Sequence, residues 1–102
     1  MANNFKRYTS SSVGTSLVTV YTVPSATTSV AIGLTLSNTS ASQIAVDVQA
    51  AGVYVVKGVS IPAGAGLSVL DGKIILETTD TVVVKSDTAS SADVILSVLE
   101  QS

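Results

Sequence analysis

Residues 61–85 read IPAGAGLSVLDGKIILETTDTVVVK. A Pro-Ala-Gly-Ala-Gly loop leads into a short apolar run, an Asp-Gly pair joins that run to a second, and an acidic turn precedes a third. Two chemistries compete for such a stretch. Glycines with an aspartate and a lysine nearby suit a phosphate-binding loop, and the same residues suit the joints of a β-scaffold. A phosphate cradle sets its glycines just before a helix N-terminus, usually with a Lys-Ser/Thr pair. Here a strand pattern follows Gly64 and Gly66, and Lys73 comes only after a second turn. The scaffold reading is the better one. Pro62, Gly64 and Gly66 then form a wide β-turn in which glycine supplies positive φ. Asp71-Gly72, set between two apolar runs, predicts a two-residue type I′ hairpin.

The same grammar extends outward in both directions. Val30, Ile32, Leu34 and Leu36 alternate with Ala31, Gly33, Thr35 and Ser37, which predicts a one-sided strand. Ile44, Val46 and Val48 alternate likewise with Ala45, Asp47 and Gln49. Over Leu17 to Val23, Val18 and Val20 fall on one face, with Leu17, Tyr21 and Val23 on the other. Val53, Val55, Lys57 and Val59 share a side opposite Tyr54 and Val56. Turn chemistry separates the runs at Pro24-Ser25, Asn38-Thr39-Ser40, Ala51-Gly52, Thr79-Asp80 and residues 86–91. About eight short strands at this spacing predict an all-β chain, a single small antiparallel β-sandwich or jelly-roll-like barrel. Residues 1–12 are polar and weakly patterned, expected as an arm or edge segment, and 13–102 as the sandwich. Val94, Ile95, Leu96, Val98 and Leu99 are apolar on both faces of the last strand. Such a strand lies centrally or at a subunit contact, so these five are the candidate interface.

Composition narrows the function. The chain has 102 residues, enough for one modest core, with 46% hydrophobic but only 12% charged residues and a net charge of −2. A surface made largely of hydroxyls and small side chains carries less charge than most soluble monomers do. It is expected to lie against other protein. Among the few basic residues only Lys6 and Arg7 are adjacent, so no nucleic-acid or membrane footprint is expected. There is no cysteine and no histidine, which removes disulfides, thiolate metal sites and the commonest general base. Residues 1–7 are polar, unlike a secretory signal, and no apolar run approaches the ~20 residues that span a bilayer. Synthesis in a cytoplasm is therefore expected.

Candidate chemistry is sparse. Asp80, Asp87 and Asp93 sit at turn positions, where a carboxylate accepts backbone N–H groups. They lack the dense acidic spacing of a calcium loop. Serines and threonines abound, but there is no histidine to act as base and no lysine sits in a Ser-x-x-Lys motif, and no pair of carboxylates stands out for glycoside hydrolysis. Tyr8, Tyr21 and Tyr54 are expected to pack in the core or an interface. Asn38-Thr39-Ser40 matches a glycosylation sequon and is read as a turn. No catalytic residue, metal or cofactor is expected.

Several stretches together resemble a family of short phage virion structural proteins from myophages of marine bacteria and cyanobacteria. They are Val20 to Pro24 with Thr27-Thr28, Leu36 to Ala41, Lys57 to Gly66, Leu67 to Glu77, Asp80-Thr81, and Val94 to Glu100. The resemblance implies a small β-sandwich repeated on a phage particle, with no catalytic residues to carry over. It implies the major capsid protein or other virion subunits as partners, and homo-oligomers, trimers by analogy. The first expectation is a capsid decoration protein located in the virion. The alternatives are a neck, baseplate or tail-associated subunit, or a glycan-binding adhesion module. The last needs exposed aromatics beside carboxamides or acids, and these loops offer mainly Ser, Thr, Ala and Gly.

Overall fold

The computed structural model describes residues 3–70 and 73–102, which form nine strands and, among the described residues, no helix. In chain order they are β1 (Asn3–Val13), β2 (Val18–Thr22), β3 (Thr28–Asn38), β4 (Ile44–Ala50), β5 (Val53–Ile61), β6 (Gly66–Ser68), β7 (Ile74–Leu76), β8 (Thr81–Ser86) and β9 (Ala92–Gln101). One sheet has the order β1-β9-β3, with β6 and β7 both on the far side of β3. The other has the order β2-β8-β4-β5, and every pairing is antiparallel. With β6 and β7 counted as one interrupted strand, this is the strand order of an eight-stranded jelly roll.

The core lies between the sheets and follows period-two alternation. Leu34 and Leu36 of β3, Ile44, Val46 and Val48 of β4, Val82 and Val84 of β8, and Val94, Leu96 and Val98 of β9 are all buried. Burying each leucine or isoleucine contributes on the order of 1.5–3 kcal/mol, the main stabilising term in so small a domain. β1, the N-terminal segment, is the edge strand of the larger sheet and pairs with β9 from Asn3 to Ser10.

Three local readings change. The alternation in β3 breaks at a register shift between Ala31 and Gly33. Ala31, Leu34 and Leu36 face the core, while Val30 and Ile32 turn outward, although the pattern had set them with Leu34. One extra residue reverses side-chain parity along a strand. A similar shift between Thr19 and Tyr21 in β2 buries Tyr21 and leaves Leu17 57% exposed.

The third concerns residues 61–85. Asp71 and Gly72 lie outside the described residues, and the strands on either side of them are not partners. β6 pairs with Thr35 to Ser37, and β7 with Ser29 to Ala31, both along β3 in the same direction. β6 and β7 thus each lie along β3, and neither pairs with the other. Their apolar residues gain more by covering β3 than by pairing with each other. The two-residue hairpin is instead at Ala51-Gly52, with φ of 53° and 79°, the positive pair a type I′ turn requires.

The Pro62–Gly66 loop crosses from one sheet to the other. Ala65 N donates to Pro62 O across a turn whose third residue, Gly64, has φ 72°. Gly64 N also donates to Asn38 O, and Asn38 N to Ala65 O. Asn38 itself is buried: its Nδ2 donates to Ser42 O and Ile61 O, and its Oδ1 accepts from Ser40 N. Asn38 thereby closes the β3–β4 connection. The Pro24 turn is tied down by Val23 N to Asp80 O and Thr79 N to Val23 O.

Candidate functional site

Two features stand out, one inside the sandwich and one outside. Inside, Glu100 near the end of β9 faces the core side with only 6% of its side chain exposed. Its neighbours in the ladder are Asn4 on β1 and Ser29 on β3. An unpaired carboxylate there would be strongly penalised, and three side chains pair with it. Glu100 Oε2 accepts from Tyr8 OH at 2.8 Å and from Tyr21 OH at 2.6 Å, while Lys6 Nζ lies 3.3 Å from Oε1. Ser29 Oγ hydrogen-bonds the Tyr21 hydroxyl. The Tyr8 and Tyr21 rings pack with centroids 4.4 Å apart. The cluster joins β1, β2, β3 and β9, and so both sheets.

Burial pushes the Glu100 carboxyl upward. Hydrogen bonds from Tyr21, Tyr8 and Lys6, with the lysine charge, outweigh it and hold the group below its ordinary value. Burial and then the bond to Glu100 push Tyr8 up to about 12 and raise Tyr21 as well. A general acid or base works best with a pKa near the operating pH. These groups are moved the other way: the carboxylate stays charged, the phenols stay protonated, and the unit acts as a clamp.

The aspartates are likewise used by the backbone. Asp80 Oδ2 accepts from Glu77 N at 2.9 Å, Asp87 Oδ1 from Ala45 N at 3.1 Å, and Asp93 Oδ1 from Ser12 N at 3.0 Å. Asp47 Oδ1 accepts from Gly58 N at 2.7 Å where β4 and β5 shift register. The Asp87 carboxyl sits below its usual range because of the Ala45 N–H and the Thr88 hydroxyl. Asp80, Asp87 and Asp47 serve turns and bulges; Asp93 pins the end of β1.

Outside, the larger sheet presents an apolar row among polar residues. Phe5 of β1 is 77% exposed and Ile75 of β7 62%, with Ile32 and Ile95 also well exposed. Leu99 and Val30 lie between them, half-buried. This placement divides the five candidate interface residues of β9. Val94, Leu96 and Val98 are buried in the core, while Ile95 and Leu99 point outward, so of the five only those two are open to a contact. The turn residues Pro24, Gly52, Pro62, Gly64 and Gly66 are exposed joints. The Glu100 cluster was not singled out from sequence. A lone glutamate one residue from the end of an apolar strand, in phase with its inward positions, was the signal available.

No protein-family model matches the chain, and no curated protein sequence does. A solved structure described as "Bacillus endospore appendages form a novel family of disulfide-linked pili" is similar in fold. Its TM-score is 0.57 at 11% identity, covering 99% of this chain and 87% of that one. Likeness at this identity shows the fold, an all-β sandwich, and this chain has no cysteine with which to form a disulfide.

Proposed function

We propose that this chain is a non-enzymatic structural subunit that acts in many copies. Its specific role is that of a phage virion protein decorating the capsid, where it stabilises the head by protein–protein contacts with the major capsid protein. The observation that carries the structural reading is the exposed apolar row on the outer face of the larger sheet. Its apolar row, flanked by polar and charged residues, has the make-up of a protein contact. The polar chemistry is meanwhile spent on the scaffold: Glu100 on two tyrosines and a lysine, four aspartates on backbone N–H groups. The virion assignment draws on the sequence resemblance described above and on the jelly-roll strand order, an arrangement found in viral capsid proteins. The pilus protein of similar fold is also a subunit of an assembly. A decoration protein stabilises by binding the assembled shell and not its dissociated parts.

Quantitative mass spectrometry of purified particles tests this. Decoration requires copies in numbers comparable to the major capsid protein. A handful per particle would make the chain a neck, baseplate or tail-associated subunit instead, and absence from particles would remove the virion reading.

A further inference from the structure

We propose that the outer face of the larger sheet binds a second copy of this chain, in a two-fold dimer whose axis runs along the row Phe5, Leu99, Val30, Ile75. The inference rests on reading that face as a contact surface, and it does not depend on which particle carries the protein. In the ladder register Phe5 stands opposite Leu99, Leu99 opposite Val30, and Val30 opposite Ile75. Four apolar side chains therefore cross four adjacent strands in one line, about 14 Å long at the usual strand spacing. The register shift in β3 makes this possible, because it turns Val30 outward.

Charge selects the occupant. Ile74 and Leu76 face the core side and Ile75 faces out, so alternation places Lys73 on one side of the row and Glu77 on the other. An axis along the row sets each row residue over its own mate. It also carries Lys73 of one copy onto Glu77 of the other, twice. An axis parallel to the strands would instead bring Arg7, which pairs with Ser97 one step from the row, over Lys73 of the second copy. That juxtaposes like charges, and the first arrangement is favoured.

The overlap is small. Four strands by about five residues give roughly 300–400 Å² per copy, below the ~800 Å² of a standard interface. The dimer is accordingly weak in dilute solution and populated where copies are concentrated on an assembly.

Sedimentation equilibrium on the purified chain, from about 10 μM to about 1 mM, tests the proposal over the range that a weak contact spans. A reversible monomer–dimer equilibrium is expected. Phe5→Asp and Ile75→Asp, both at exposed positions, should keep the wild-type circular dichroism spectrum and sediment as monomers. Lys73→Glu should weaken the dimer by about tenfold, the effect of one lost charge pair counted twice, and adding Glu77→Lys in the same chain should restore it. Because the chain lacks cysteine, single-cysteine variants report the axis. A short bis-maleimide should link Ile75→Cys to itself more readily than it links Ile75→Cys to Phe5→Cys. A wild-type chain that stays monomeric throughout, a dimer indifferent to Phe5→Asp and Ile75→Asp, or preferred mixed cross-linking would each overturn the proposal. A low copy number on particles would leave it standing, so the two readings fail separately.

Discussion

Glu100 ties the larger sheet to β2 of the smaller one through the Tyr21 hydroxyl. Replacing it with Gln keeps the shape but removes the charge that two phenols and an ammonium address, and should lower stability by about 1–3 kcal/mol in urea unfolding. The sign of the pH dependence follows from the shifts. A carboxyl held below its unfolded value stabilises the fold above the ordinary glutamate range, and that stability disappears as pH falls through the lowered value. A phenol raised to about 12 stabilises the fold fully below pH 10, and that contribution is lost as pH rises from 10 toward 12. Glu100→Gln should therefore flatten the acid limb of the stability profile, and Tyr8→Phe should diminish the alkaline limb. Ala51 supplies a different test. It holds φ 53° at the first position of the β4–β5 turn, a left-handed conformation that disfavours alanine by roughly 1–2 kcal/mol. Ala51→Asn, which forms the favoured Asn-Gly pair with Gly52, should raise the melting temperature, corresponding to about 0.5–1 kcal/mol; a lowered one would contradict the turn assignment.

Strands, most turns and the core face of β4 were legible in the sequence because period two survives where side-chain parity is unbroken. Partners were not. Asp71-Gly72 has the composition of a hairpin turn, yet the flanking strands both choose β3, a longer apolar surface than either offers the other. The β3 register shift was equally hidden: Val30, Ile32, Leu34 and Leu36 form an unbroken alternating pattern, and only the match to β9 places an extra residue between Ala31 and Gly33. On β9 the prediction can be made residue by residue. Leu96→Asp puts a charge into the core and should unfold the domain, while Ile95→Asp, one position along and 42% exposed, should melt within about 0.5 kcal/mol of wild type. If thermal melts showed both variants equally disrupted, β9 would be buried on both faces after all.

At the scale of the molecule, a sandwich about 45 × 21 × 20 Å is elongated, with six charged groups tied into the scaffold and an apolar row exposed on one sheet face. The missing histidine and cysteine and the low charge pointed toward assembly and away from chemistry. The Glu100 cluster stayed hidden because its members are dispersed along the chain, at residues 6, 8, 21, 29 and 100, and only the jelly-roll strand order brings them together. On the function proposed above, this domain is a repeated structural subunit on a phage head. The deciding measurement is a density map of the intact particle. This domain is expected outside the capsid shell in symmetry-related copies, with the outer face of the larger sheet covered by protein. Particles with no density for it, or copies whose apolar row faces open solvent, would overturn that function.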